Sequence, residues 1–106
     1  MRLIDLDPRW LGAGGEGITR NGQPVPERKG VGIAFRCPCA GPHEEWDSVY
    51  VCFENPTDGG PPHDSAQPLW AREGDSFDAL TLRPSILRIG GCGWHGFITN
   101  GEVSSA

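Results

Sequence analysis

Five side chains that bind metals well sit in two short turn-rich stretches far apart in the sequence: Cys37-Pro38-Cys39 with His43, and Cys92-Gly93-Trp94-His95. Ligands drawn from both stretches close half of the chain into a loop and fix both turns around one ion. A Cys-x-Cys pair alone is a weak signal, because buried cysteine behaves as a small apolar residue. Joined by Cys-x-x-His it reads as a metal centre. The residues leave the set open, since Cys37, Cys39 and Cys92 can be completed by His43 or by His95. Cys52 lies inside an apolar run and reads as core, and His63 lies in a polar loop and reads as a solvated side chain.

A metal staple matters here because the chain is short. Its 106 residues make one domain, near the size at which a single hydrophobic core suffices only narrowly. Sixteen glycines and ten prolines bring the composition close to that of disordered chains, and only 37% of residues are apolar. Four Trp and four Phe spread along the chain, with short β-branched runs between turn residues, argue for a packed fold instead.

No stretch has the length and period of a convincing helix. Val31 to Cys37 alternates as a half-buried strand does, and Ser48 to Phe53 is a second strand, ended by Asn55-Pro56. Leu80 to Leu82 starts a third that runs into Pro84-Ser85-Ile86-Leu87, and Leu69 to Asp78 is expected to hold a short helix or a turn. Asn21-Gly22 and Asn100-Gly101 are two-residue hairpin signals, the second closing Gly96 to Ile98 on Glu102-Val103. Ser104-Ser105-Ala106 is expected to fray. The fold class expected is therefore mostly β: a small, single-domain, zinc-stapled sheet-and-hairpin fold with little helix. Residues 1–30 form a loop-rich leading segment and residues 31–103 the zinc-tied β core.

Charge and hydropathy narrow the function. Nine basic against fourteen acidic residues give a net charge of −5 with no basic cluster, which excludes a phosphate-backbone reader, so no nucleic acid partner is expected. No apolar run approaches the ~20 residues that span a bilayer, and Asp5 stands where a secretion signal would be apolar. A protein of the bacterial cytoplasm is expected, the host cytoplasm if a phage encodes it. Thiols stay reduced there, which favours metal over disulfides. The Gly12 to Gly17 loop lacks the Gly-Lys-Ser/Thr ending of a phosphate-binding loop.

Two resemblances bear on the second turn. Cys92-Gly93-Trp94-His95 resembles half of a Rieske iron–sulfur motif, but the Cys-x-His half is missing, because Cys37 is followed two residues on by Cys39. The chain is also similar, over about its last seventy residues, to small phage and bacterial domains that include the BubE-type serine peptidases of bacterial ubiquitin-like conjugation systems. Their pattern is a Cys-Pro-Cys-Gly-Cys turn, a Thr-Leu-x-Pro-Ser-Ile/Val segment, then Cys-x-Ser-His-Phe and a closing Asn/x-Gly hairpin. Here these stand as Cys37-Pro38-Cys39, Thr81-Leu82-Arg83-Pro84-Ser85-Ile86, Cys92-Gly93-Trp94-His95 with Phe97, and Asn100-Gly101. The third cysteine of the early turn is absent, and Trp94 takes the place of a serine.

That resemblance implies a zinc-stabilised Ser-His peptidase or isopeptidase with Ser85 as nucleophile and His95 as general base. It implies a structural zinc on Cys37, Cys39, His43 and Cys92, with His43 standing in for the missing cysteine. It also implies a protein or peptide substrate, a ubiquitin-like or other protein tail. A serine hydroxyl needs an adjacent base, and a third group commonly orients the imidazole; Asp75, Asp78 and Glu102 are candidates for it. Backbone amides of Gly90, Gly91 or Gly93 are candidates for an oxyanion hole. The alternative is a non-enzymatic zinc module, such as a phage protein that targets a host factor, with exposed tryptophans as its contact surface. An enzyme needs the Ser85 hydroxyl and an uncoordinated His95, and a binding module needs neither.

Overall fold

A computed structural model describes residues 1–15, 17, 19–38, 48–63, 68–87 and 93–106. Strands β1 (Arg9–Ala13), β4 (Arg28–Arg36) and β5 (Ser48–Phe53) form one antiparallel half of a sheet. Strands β6 (Leu69–Glu73), β7 (Thr81–Leu87), β8 (His95–Thr99) and β9 (Glu102–Ser105) form the other. The halves join through a short parallel pairing of β5 with β6, Cys52 opposite Leu69 and Phe53 opposite Trp70, giving a seven-stranded curled sheet ordered β1-β4-β5-β6-β7-β8-β9. Two short strands, β2 (Thr19–Arg20) and β3 (Gln23–Pro24), make a separate hairpin.

One face of the sheet carries the core. In β5 and β8 burial alternates residue by residue, so Val49, Val51 and Phe53 point inward with Gly96 and Ile98, and the residues between point out. The inward side chains of β4, β7 and β9, among them Ile33, Phe35, Leu82, Ile86 and Val103, complete a single cluster. β4 is buried on both faces from Gly30 to Phe35, unlike the half-buried strand its alternation predicts. At Gly32 a side chain would run into the Val51 carbonyl, so the second face of β4 accepts only small residues there.

The first thirty residues hold more structure than a loop-rich segment implies. A 3-10 helix, Leu3–Leu6, drops Leu3 and Leu6 into the core. The chain just before it pairs with β9: Val103 N–H donates to the Met1 carbonyl, and Leu3 N–H donates to the Gly101 carbonyl. β1 then pairs with β4, and Trp10 stacks on Phe77 with ring centroids 4.6 Å apart.

Both Asn-Gly hairpins are present. Asn100 and Gly101 have φ of 48° and 76°, and Asn21 and Gly22 have 52° and 76°; positive values at both central residues suit tight hairpin turns. Residues 69–73 are a strand, with the expected turn confined to the residues after it. Ser104 and Ser105 belong to β9, and Ala106 N–H donates to the His95 carbonyl at 2.8 Å, so this segment is paired where fraying was expected. Among the described residues no helix is long and apolar enough to cross a membrane.

Candidate active site

The site grows from an irregularity in β7. Leu82 pairs with Ile98 and Ile86 pairs with Gly96, so four steps along β7 match two along β8. Arg83, Pro84 and Ser85 occupy the excess. Pro84 has no N–H to give to a ladder, which confines it to a place where pairing is interrupted. Such a bulge re-aims the side chains next to it.

β8 contributes the partner. His95, Phe97 and Thr99 face out while Gly96 and Ile98 face in. Leu87 pairs with His95, which puts Ser85, two residues before Leu87, diagonally across from the imidazole on the same outer face. Ser85 Oγ lies 2.8 Å from His95 Nε2. That is hydrogen-bond distance for a hydroxyl and a base, the first geometric requirement of an activated serine.

Neighbouring groups fix both residues. Trp70 Nε1–H donates to the Ser85 carbonyl at 3.2 Å, so β6 holds the bulged segment from behind. Trp94, where the resembled family has serine, turns inward: it is 5% exposed, meets Phe35 edge to face at 6.2 Å and donates its indole N–H to Ser105 Oγ at 3.0 Å. Its ring fills the space a side chain at residue 96 would take, where a Cβ would stand 2.3 Å from Trp94 Cζ2 and 2.3 Å from the Ser104 carbonyl. The bulk of Trp94 is therefore absorbed by the core and by Gly96, leaving His95 outward and exposed.

The three candidate orienting acids are engaged elsewhere. Asp78 accepts from Arg2 at 2.8 Å, Asp75 from Arg72 at 3.0 Å, and Glu102 lies 3.5 Å from the Met1 amino group. Among the described residues the site is thus a two-residue Ser-His pair. Gly93 is exposed with φ of 67°, while Gly90 and Gly91 lie outside the described residues.

Of the expected zinc ligands, Cys37 is described and buried just past the end of β4, and Cys39, His43 and Cys92 lie outside the described residues. The donor set of three thiols and one imidazole suits a closed tetrahedral zinc site. The described residues also bring together the flanks of the two turns. Phe35 precedes Cys37 by two residues, Trp94 follows Cys92 by two, and their rings are in contact. Cys52 is half-buried in β5 and His63 is exposed. Trp94 is buried in the core, Trp10 and Trp70 are partly buried against it, and Trp46 lies outside the described residues.

A cleft of about 600 Å³ lies away from the Ser-His pair, lined by Trp10, Gly14, Lys29, Thr57 and Asp75 among others. Arg28 borders it and forms a two-pronged ion pair with Asp58, Nε to Oδ2 at 2.7 Å and Nη2 to Oδ1 at 2.9 Å. The Arg28 hydrogen bonds, helped by the Gly60 amide, pull the Asp58 carboxyl from its ordinary 3.8 down to about 2.

Sequence reasoning did not find Trp70. Nothing in its spacing marks it, because its bond to Ser85 depends on the pairing of β6 with β7, a contact between segments.

The sequence model of one family, described as bacterial ubiquitination-like system serine protease (BubE), matches residues 18–106. No curated protein and no solved structure matches the chain.

Proposed function

Because this chain belongs to the BubE family of bacterial ubiquitination-like system serine proteases, we propose that Ser85 and His95 are its catalytic pair and that it cleaves a peptide or isopeptide bond in a protein tail, a ubiquitin-like one in the first instance. The observation that supports this reading is the 2.8 Å contact between Ser85 Oγ and His95 Nε2 on the outer face of the sheet.

With its proton on Nδ1, His95 accepts the Ser85 hydroxyl hydrogen bond at Nε2. Ser85 Oγ attacks the scissile carbonyl, the Oγ–C bond forms, and the hydroxyl proton passes to His95. The imidazolium then returns that proton to the departing amine as the C–N bond breaks, leaving an acyl-enzyme. Water, deprotonated by the same His95, releases the acid and restores Ser85. Trp70 holds the carbonyl of the nucleophile's own residue, and the Leu87 pairing with His95 sets the height of the base along β8.

Cys37, Cys39, His43 and Cys92 would hold the structural zinc. Bound there it would lock the two turns together and supply no chemistry to the substrate. This assignment leaves His95 free for catalysis, which the peptidase reading requires.

A fluorophosphonate that traps activated serines tests the reading. Labelling at Ser85, located by peptide mass spectrometry, is expected in the native protein. The label should be lost in Ser85→Ala and slowed at least about a hundredfold in His95→Ala. Labelling elsewhere, or Ser85 labelling that ignores His95, would overturn it.

A further inference from the structure

We infer that Leu87 and Phe97 form a specificity subsite, which seats an apolar side chain of the substrate next to the scissile bond. The inference rests on the Ser85–His95 reading above.

Five large apolar side chains stand exposed among the described residues: Met1, Ile4, Tyr50, Leu87 and Phe97. Two of them flank the Ser-His pair. Leu87 is 56% exposed and lies directly across the ladder from His95; Phe97 is 44% exposed and follows His95 by two residues on the same outward face. The imidazole and phenyl rings lie 6.2 Å apart at a 34° tilt. Phe97 is the one β8 residue between Gly96 and Ile98, so it stands opposite the bulge that holds Ser85. Ser85, Leu87, His95 and Phe97 therefore share one small patch of sheet surface, two reactive side chains and two apolar ones.

The surroundings are polar. Thr99 continues the outward row of β8, exposed Ser104 faces Phe97 from β9, and Arg83 reaches toward Glu73 at 3.9 Å on the other side of the bulge. An apolar pair with a polar rim is the surface pattern of a recognition site. A chain presenting a carbonyl to Ser85 Oγ must rest an adjacent side chain near this pair. An apolar side chain there removes its own surface and that of Leu87 and Phe97 from water together. A carboxylate in the same place loses water and finds no donor on either residue. The occupant is thus an apolar residue of the substrate tail, and acidic residues are disfavoured.

The test uses diphenyl esters of 1-aminoalkylphosphonates on the full chain. Ser85 Oγ attacks phosphorus, phenoxide leaves and takes a proton, and the side chain on the adjacent carbon is chosen by the experimenter. The readout is the ratio of labelling rates for a leucine-like against an aspartate-like phosphonate. The expected ratio is at least about tenfold in the native protein, in line with discrimination by apolar pockets. It should fall to within about threefold of unity in Phe97→Ser and in Leu87→Ser, and Phe97→Leu should keep most of it. A native ratio near unity, or one that both serine variants leave intact, overturns the subsite while Ser85 labelling by a small fluorophosphonate upholds the nucleophile. If no phosphorus reagent labels Ser85, the catalytic reading itself fails and the subsite falls with it.

Discussion

Trp70 and Ser85 are joined across neighbouring strands by one hydrogen bond, from the indole N–H to the serine carbonyl at 3.2 Å. Where β7 loses its register against β8, this bond ties the loosened segment to β6 on its other side. Trp70→Phe keeps most of the packing against the core and removes only the donor. We expect a stability loss of about 1 kcal/mol in urea unfolding, the ordinary worth of one such bond. The fluorophosphonate labelling of Ser85 should slow by about fivefold, the same energy expressed as a rate. Labelling at the native rate would show that Trp70 does not position the nucleophile.

The Arg28–Asp58 pair gives the fold an acid-sensitive joint outside the Ser-His site. The folded carboxyl is held at about 2 against an ordinary 3.8. A depressed folded value means that the unfolded chain takes up the proton first. The stabilisation is therefore complete above about pH 4 and lost as pH falls through about 2. Melting temperatures of the native protein and Asp58→Asn, taken between pH 2 and 6, should differ most at the upper end and converge toward pH 2. A constant difference across that range would contradict the assignment.

The sequence marks β5 and the β8–β9 hairpin clearly, because alternation from Val49 to Phe53 and the Asn100-Gly101 turn are local signals. β6 is obscured because Leu69 to Glu73 is short and only partly buried, and because its antiparallel return to β7 runs through a turn longer than a two-residue hairpin loop. β1 is obscured likewise by Gly12, which sits at the register shift in its pairing with β4. His95 announces itself beside Cys92, but Ser85 looks like any turn serine after proline. Its reach to His95 depends on a bulge whose extent is set by where Leu82 and Ile86 find Ile98 and Gly96. Only the resemblance to a family singles it out beforehand.

Gly96 couples the core to the base. It has no room for a methyl group, which would stand 2.3 Å from both the Ser104 carbonyl and the Trp94 ring. Gly96→Ala must push β9 away or displace Trp94, at a cost of about 1–3 kcal/mol. Because His95 is the preceding residue, and its carbonyl pairs with Ala106, Ser85 labelling should fall along with the melting temperature. Unchanged stability would mean that the space beneath Gly96 is larger than the packing implies.

Metal removal separates the two histidines. If zinc sits on Cys37, Cys39, His43 and Cys92, the native protein carries about one equivalent by elemental analysis, as a closed four-ligand site does. Cys92→Ser and His43→Ala should lower that content, and Cys52→Ser and His95→Ala should leave it unchanged. Structural zinc adds its binding energy to folding, so a strong chelator should depress the melting temperature and slow Ser85 labelling in parallel. The Phe35–Trp94 contact would be the packed seam through which the two turns hold β8 in place. The decisive variant is His95→Ala. If it loses the metal, His95 is a ligand, its imidazole is unavailable to take the Ser85 proton, and the hydrolase mechanism is excluded. If it keeps the metal and loses labelling, the staple and the catalytic base are different residues, as the peptidase reading demands.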